Sequence, residues 1–326
     1  MRLEERLPSS LHHGCIAFIE GDHLMVGMRS LLPFERRFLP VSNAREAAEA
    51  IRDMVTQGGG QLEVALWAMV LEARLHGKDL EALAEAKEAL VSARRTNGAV
   101  AKALGLMWDI IPDLPQSTFA RGLEDWVRSH LEEMDRTYLA MAEHGSRLVE
   151  DGKGVLTTCF PEHSFFLCLS LAREEGKRFT VYVPETRPYL QGAHLTAPGL
   201  CELGYDHSLV CDNMVASIVS SGRVGVYLTA SDRATSSRWV VNKTGSLQNA
   251  IVCKAYGVPY YAFSIGVDED RESLEDYPVE WRDASEVRKC QGVGTTLDEV
   301  EALYPAFDIV PPDYVAGIIT KGGIIR

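Results

Sequence analysis

From Gly154 onward, short runs rich in Val, Tyr, Leu and Phe alternate with helical patterns, and no other feature of the chain constrains its fold as much. Segments 155–158, 179–183, 208–211, 224–228 and 260–263 each read as a strand buried on both faces, because continuous hydrophobicity is what a two-sided sheet demands. Helical candidates lie between them, around 164–176, 192–203, 213–221 and 245–256. This alternation implies an α/β domain whose parallel sheet carries helices on both sides. Ligands of such sheets bind beyond the carboxyl ends of the strands, so chemistry is expected just after each strand.

Upstream the period is different. Residues 15–40 mix short apolar runs with Gly and Pro and suggest a small strand pair. Residues 44–56 place Ala47, Ile51, Met54 and Val55 on one helical side, before Gln57-Gly58-Gly59-Gly60 breaks the pattern. A dense apolar helix is expected over 61–76 and a third over 80–93. Pro112 and Pro115 mark a connector, and Ser117 is a good N-cap for a long helix running to about Glu150. The expected architecture is a mainly helical N-terminal domain over 1–112, a connecting long helix over 113–152, and a Rossmann-like parallel-sheet domain over 153–326.

Charge and cysteine content narrow the partners. The formal net charge is -13 and Lys and Arg form no run, which argues against nucleic acid and leaves an anionic substrate to a few local donors. Seven cysteines, an odd number with no C-x-x-C pair, imply a reducing compartment. The N-terminal residues are charged, and no stretch approaches the ~20 apolar residues that cross a bilayer, so a cytoplasmic protein without membrane contact is expected. His12-His13-Cys15 has metal-ligating residue types but no second cluster, and reads as an exposed tail. Gln291-Gly292-Val293-Gly294 does not follow a strand, and neither a Walker A nor a G-x-S-x-G motif is present. Neither a metal nor a cofactor is expected.

Four strand-terminal loops could carry chemistry. Cys159 stands at the mouth of the first strand and close to a helix N-terminus, although a buried core cysteine would look the same. Arg187, in Glu185-Thr186-Arg187-Pro188, could grip a phosphate, hold a catalytic carboxylate in place, or lie solvated on a loop. Asp212 could cap the helix after it. Asp232 ends a buried strand, where its environment can be tuned or where it can pair structurally with an Arg, and Lys243 precedes a helix and offers a phosphate donor.

Taken in order, these segments resemble the family that contains methylthioribose-1-phosphate isomerase, ribose-1,5-bisphosphate isomerase and the regulatory subunits of the initiation-factor nucleotide exchange factor. The resemblance spans about residues 25 to 326 and is carried by residues 47–55, by Glu185-Thr186-Arg187-Pro188 with Gln191-Gly192, by Asn242-Lys243-Thr244-Gly245, and by Pro305-Ala306-Phe307-Asp308. The family's isomerases carry a Cys in T-H-C and an Asp in G-A-D, which its regulatory subunits generally lack. Thr158-Cys159 and Ser231-Asp232 keep both groups here. The resemblance therefore implies a catalytic pair, Cys159 and Asp232, and a substrate and phosphate set of Gly58, Gly59, Arg94, Arg187, Gln191, Asn242 and Lys243. The family's R-G-A-P loop is Gln57-Gly58-Gly59-Gly60 here, so an arginine is missing while glycine N–H groups are expected to stay free for an anion. The loop from Cys159 to Ser164 also departs from T-H-C-N-T-G.

The implied activity is isomerisation of a cyclic aldose 1-phosphate to a ketose 1-phosphate, with S-methyl-5-thioribose 1-phosphate as the expected sugar. Another pentose 1-phosphate, ribose 1,5-bisphosphate, or a non-catalytic sugar-phosphate or nucleotide-binding homologue are the alternatives. In the expected chemistry Asp232, kept protonated by an apolar setting, serves the ring oxygen, and Cys159 moves the C2 proton to C1; a direct hydride shift from C2 to C1, with a smaller part for Cys159, is the variant. A homodimer is implied by the resemblance alone.

Overall fold

The computed structural model describes residues 3–93 and 98–326, which divide into two compact units, Ser9–Arg136 and Met1–Pro8 with Thr137–Arg326. The first unit opens on a short helix, α1 (His13–Ile16), and an antiparallel sheet of β1 (Ala17–Glu20), β2 (His23–Gly27) and β3 (Phe38–Val41). The expected strand pair is thus a three-stranded sheet, its third strand hidden in sequence by Pro33 and the charges of 35–37. His13 is not part of an exposed tail. Its Nδ1 lies 2.8 Å from Glu63 and its Nε2 3.3 Å from Asp135.

Helix α2 (Ala44–Arg52) starts on a reciprocal cap: Asn43 accepts from the Glu46 N–H at 2.9 Å, and the Glu46 carboxylate accepts from the Ser42 N–H at 2.7 Å. It stops short of residue 56 because Met54 turns into the left-handed region at φ 59°. Helix α3 (Gly59–His76) is buried on nearly all sides, as its unbroken apolar sequence requires, and ends at Gly77 with φ 64°. Helix α4 (Leu80–Ala93) has the expected bounds, while α5 (Gly98–Ile110), absent from the sequence reading, packs Val100, Ala103, Leu104 and Met107 into the same core. Helix α6 (Phe119–Ser146) contains the boundary between the two units and ends four residues before Glu150.

In the second unit the alternation holds: β4 (Gly154–Leu156), α7 (Glu162–Glu174), β5 (Val181–Pro184), α8 (Ala197–Glu202), β6 (His207–Val210), α9 (Val215–Ser220) and β7 (Val224–Ala230) follow in turn. After β7 the chain makes β8 (Arg233–Ala234) and β9 (Val240–Lys243), then α10 (Ser246–Ala255) and β10 (Tyr260–Phe263). A long excursion carries the hairpin β11 (Lys289–Cys290) and β12 (Val293–Gly294) before β13 (Phe307–Val310), β14 (Gly317–Thr320) and β15 (Gly323–Ile325). The main sheet has the order β15-β14-β10-β7-β4-β5-β6, parallel except for β15. Strand order therefore reverses between β4 and β7. Strand β6 is the correction to the expectation of strands buried on both faces: at the sheet edge, its Ser208 and Leu209 are exposed. No helix among the described residues is long and apolar enough to cross a membrane.

Candidate active site

The two strands that flank the reversal, β4 and β7, are followed by Cys159 and Asp232, and a crevice outside such strands is where α/β sheets bind ligands. Cys159 adopts φ 64° and Glu162 φ 58°, while Thr186 and Leu190 in the loop after β5 adopt 63° and 61°. Left-handed conformations cost free energy for residues with a Cβ and persist where surrounding bonds enforce them. Those bonds are present: the Cys159 N–H donates to Thr186 Oγ1 at 3.0 Å, Thr196 Oγ1 donates to the Cys159 carbonyl at 2.6 Å, and the Leu190 N–H donates to the Thr186 carbonyl at 2.7 Å.

The β5 loop is in turn tied to the next strand. Asp212 does not simply cap its own helix; its carboxylate accepts from the N–H groups of Thr186 and Arg187, each at 2.8 Å. Gly192 permits the sharp return of this loop, since a Cβ there would fall 1.9 Å from the Pro184 carbonyl oxygen. Gln191, next to it, is buried, and its Oε1 finds no hydrogen-bond partner among the described residues. Arg187, expected to hold a phosphate, instead donates from both terminal nitrogens to the carbonyls of Lys289 (2.9 Å) and Val287 (3.0 Å), which pins the long excursion.

Two motif segments meet as paired strands. β9 and β13 run antiparallel with Lys243 opposite Phe307 and Asn242 opposite Asp308. One Asp308 oxygen accepts from the N–H groups of Gly245 (2.8 Å) and Leu247 (2.9 Å), capping α10, and Ser246 Oγ accepts from Asn242 Nδ2 at 2.9 Å. Lys243 is buried, its ammonium 4.7 Å from the Phe307 ring centroid and 5.9 Å from that of Tyr189. Beneath Cys159, Thr158 Oγ1 lies 2.7 Å from the Tyr227 hydroxyl and accepts from Asn249 Nδ2 at 3.0 Å.

The half-buried Cys159 thiol is pushed up to about 11, first by removal of water and further by the carboxylates of Asp232 and Glu162, while the Lys243 ammonium and the Phe160 N–H pull it down. These groups therefore share one electrostatic neighbourhood. Asp232 departs from expectation, because it is exposed and no apolar setting surrounds it.

In the other unit, Gly58 is exposed with φ 57°, Gly59 begins α3, and the loop is less open to an anion than expected. The Gly60 and Gln61 N–H groups already donate to the carbonyls of Gln57 and Gly58, both at 3.2 Å. Buried Arg29 supports this loop from within, donating to the Gln57 carbonyl at 2.5 Å. Arg94 lies outside the described residues. Sequence reasoning missed Thr186, Glu162, Tyr189 and Phe307 as neighbours of the candidate residues; Phe307 lies inside the Pro305-Ala306-Phe307-Asp308 motif and Tyr189 just after Pro188, but nothing in their spacing announced a shared lysine.

Relatives with the same plan are known. A methylthioribose-1-phosphate isomerase of Thermosipho melanesiensis is 31% identical over 94% of this chain and 93% of its own length. A 5-deoxyribose 1-phosphate isomerase of Petrotoga mobilis is 30% identical, covering 93% and 92%. The crystal structure of 5-methylthioribose 1-phosphate isomerase from Pyrococcus horikoshii OT3 superposes with a TM-score of 0.85 at 26% identity, over 99% of this chain and 96% of that one. Since the profile of the initiation factor 2 subunit family matches residues 42–326, the chain belongs to that family.

Proposed function

We propose that this protein is an aldose–ketose isomerase that converts a cyclic pentose 1-phosphate to the ketose 1-phosphate, with S-methyl-5-thioribose 1-phosphate as its substrate. One observation carries the reading: a thiol and a carboxylate following the two strands at the sheet's reversal act on each other electrostatically, beside a buried lysine. An aldose 1-phosphate cannot revert to the aldehyde while its anomeric oxygen is esterified, so the ring must be opened by a proton on the ring oxygen. Asp232, taking up a proton as the bound sugar excludes water from it, supplies that proton and the C1–ring oxygen bond breaks. The C2 proton then leaves, a proton is added at C1, and the C2 hydroxyl returns its proton to the Asp232 carboxylate as the ketone forms.

Cys159 is placed to carry the proton between C2 and C1. A thiol held near 11 starts protonated at neutral pH, however, and this favours a second reading in which hydrogen moves from C2 to C1 as hydride and the neutral thiol only shields the path. Because Asp232 is exposed in the free protein, exclusion of water from it comes with the bound sugar. Lys243, Gln191 and Asn242 hold the phosphate and hydroxyl groups in this reading. Arg187 positions the long excursion.

Cys159→Ala and Asp232→Asn should each lower kcat by about 10²–10⁴-fold, the range for one positioned acid or base, in an NMR assay of ketose formation. Near-normal turnover by either variant removes its residue from the chemistry. Run in D₂O, the assay tests the proton route: deuterium at C1 identifies proton transfer, whereas its absence fits both hydride transfer and a proton carried by Cys159 without exchange. The alternative sugar, 5-deoxyribose 1-phosphate, belongs in the same assay because the relative from Petrotoga mobilis is named for it. A homodimer is also part of this reading, and light scattering of a monomer would remove it.

A further inference from the structure

We propose that Tyr304 is a substrate-binding residue, its hydroxyl donating a hydrogen bond to a sugar oxygen beside the carbons that react at Cys159; this rests on the isomerase reading above. Tyr304 is only 2% exposed, and its hydroxyl finds no hydrogen-bond partner among the described residues. A buried O–H left unpaired costs free energy in the folded protein, so a persistent one calls for a partner that arrives from outside.

Placement says which partner. The Tyr304 ring centroid is 6.4 Å from that of Tyr189, the ring that also faces the Lys243 ammonium at 5.9 Å. Tyr304 shares a buried cluster with Val241 and Phe307, the residues flanking Lys243 along β9 and across it on β13. Its backbone is fixed as well: the Arg282 N–H donates to the Tyr304 carbonyl at 3.0 Å, and Trp281 pairs with Pro305. Arg282 completes the frame by donating to the Tyr189 hydroxyl at 2.6 Å. Burial, and after it the phenol of Tyr189, the carboxylate of Glu286 and the thiol of Cys159, keep the Tyr304 phenol neutral, opposed only by Arg282. A neutral donor suits an uncharged sugar hydroxyl, whereas the phosphate is matched by the lysine.

The test uses the full-length protein and Tyr304→Phe, with 5-methylthioribose 1-phosphate and 5-deoxyribose 1-phosphate as probes. Deleting the hydroxyl should leave the Tm of the free protein equal or higher, because no protein partner is lost. The same variant should lose about tenfold in kcat/KM, roughly 1.4 kcal/mol, and gain less in Tm on adding sugar. Unchanged kcat/KM and an unchanged ligand shift, with the parent protein active, overturn the inference and leave the isomerase reading standing. A lower Tm without sugar, or failure to fold, also overturns it, since the hydroxyl would then be serving the protein. A parent protein inert toward both sugars and not stabilised by either overturns the isomerase reading, and this inference with it.

Discussion

At the scale of single residues, the chain's chemistry depends on what surrounds one sulfur. Cys159 could have been an inert core cysteine, and the sequence pattern alone did not separate the two readings. In the folded chain Lys243 and Asp232 act on it with opposite sign. Lys243→Met should therefore raise the thiol's pKa above about 11, and Asp232→Asn should lower it. The measurement is the pH dependence of iodoacetamide alkylation at Cys159, followed by peptide mass spectrometry so that the exposed Cys201 and Cys211 do not interfere. Shifts in the same direction for both variants would contradict the shared neighbourhood. Asp232 teaches the reverse lesson: the end of a buried strand suggested an apolar setting, but β7 is followed at once by the turn into β8, and the carboxyl group faces solvent.

At the scale of elements, the motif segments owe their ordered spacing to strand pairing. Asn242-Lys243 and Phe307-Asp308 are far apart in sequence yet opposite one another in register. Asp308 then serves α10, accepting two N–H bonds at a helix start whose Gly245, at φ 97°, has no side chain to cap with. Asp308→Ala should cost about 1–2 kcal/mol, the upper range for loss of an N-cap, and should speed amide exchange at Gly245 and Leu247. Asp308→Asn retains an acceptor oxygen and should cost less. Exchange rates unchanged in the alanine variant would show that the cap contributes nothing. Strands β4–β7 and β10 were legible as apolar runs set between helical patterns; β8, β9, β13, β14 and β15 were not, because no such alternation frames them.

At the scale of the whole molecule, the pH range of stability should carry the mark of His13. Burial pulls this imidazole down, but hydrogen bonds to Asp135 and Glu63 overcome it and hold the pKa up at about 10. Both ring nitrogens face carboxylate oxygens, which requires the doubly protonated ring. A group raised in the folded state contributes stability that is complete below its ordinary value near 6.5 and is lost as pH climbs through about 10. Burial also raises Glu63 above its ordinary value, against the pull of His13, so its contribution is lost as pH rises above that ordinary value. Thermal unfolding followed from pH 6 to about 10 should show a falling Tm that flattens in His13→Gln. An equal fall in both proteins would assign the effect elsewhere.

The sequence by itself determined the α/β class, the helical N-terminal region, the main strands and the positions after them where chemistry is expected, because period and strand-end placement are local properties. Local pattern could not decide which of those positions come together. Cys159 and Asp232 share an electrostatic field because strand order reverses between β4 and β7, Arg187 donates to the carbonyls of 287 and 289, and Tyr304 is buried beside Tyr189 with no partner for its hydroxyl among the described residues. Each of these is a contact between segments distant along the chain, and such contacts exist only once the sheet and its long excursion have packed.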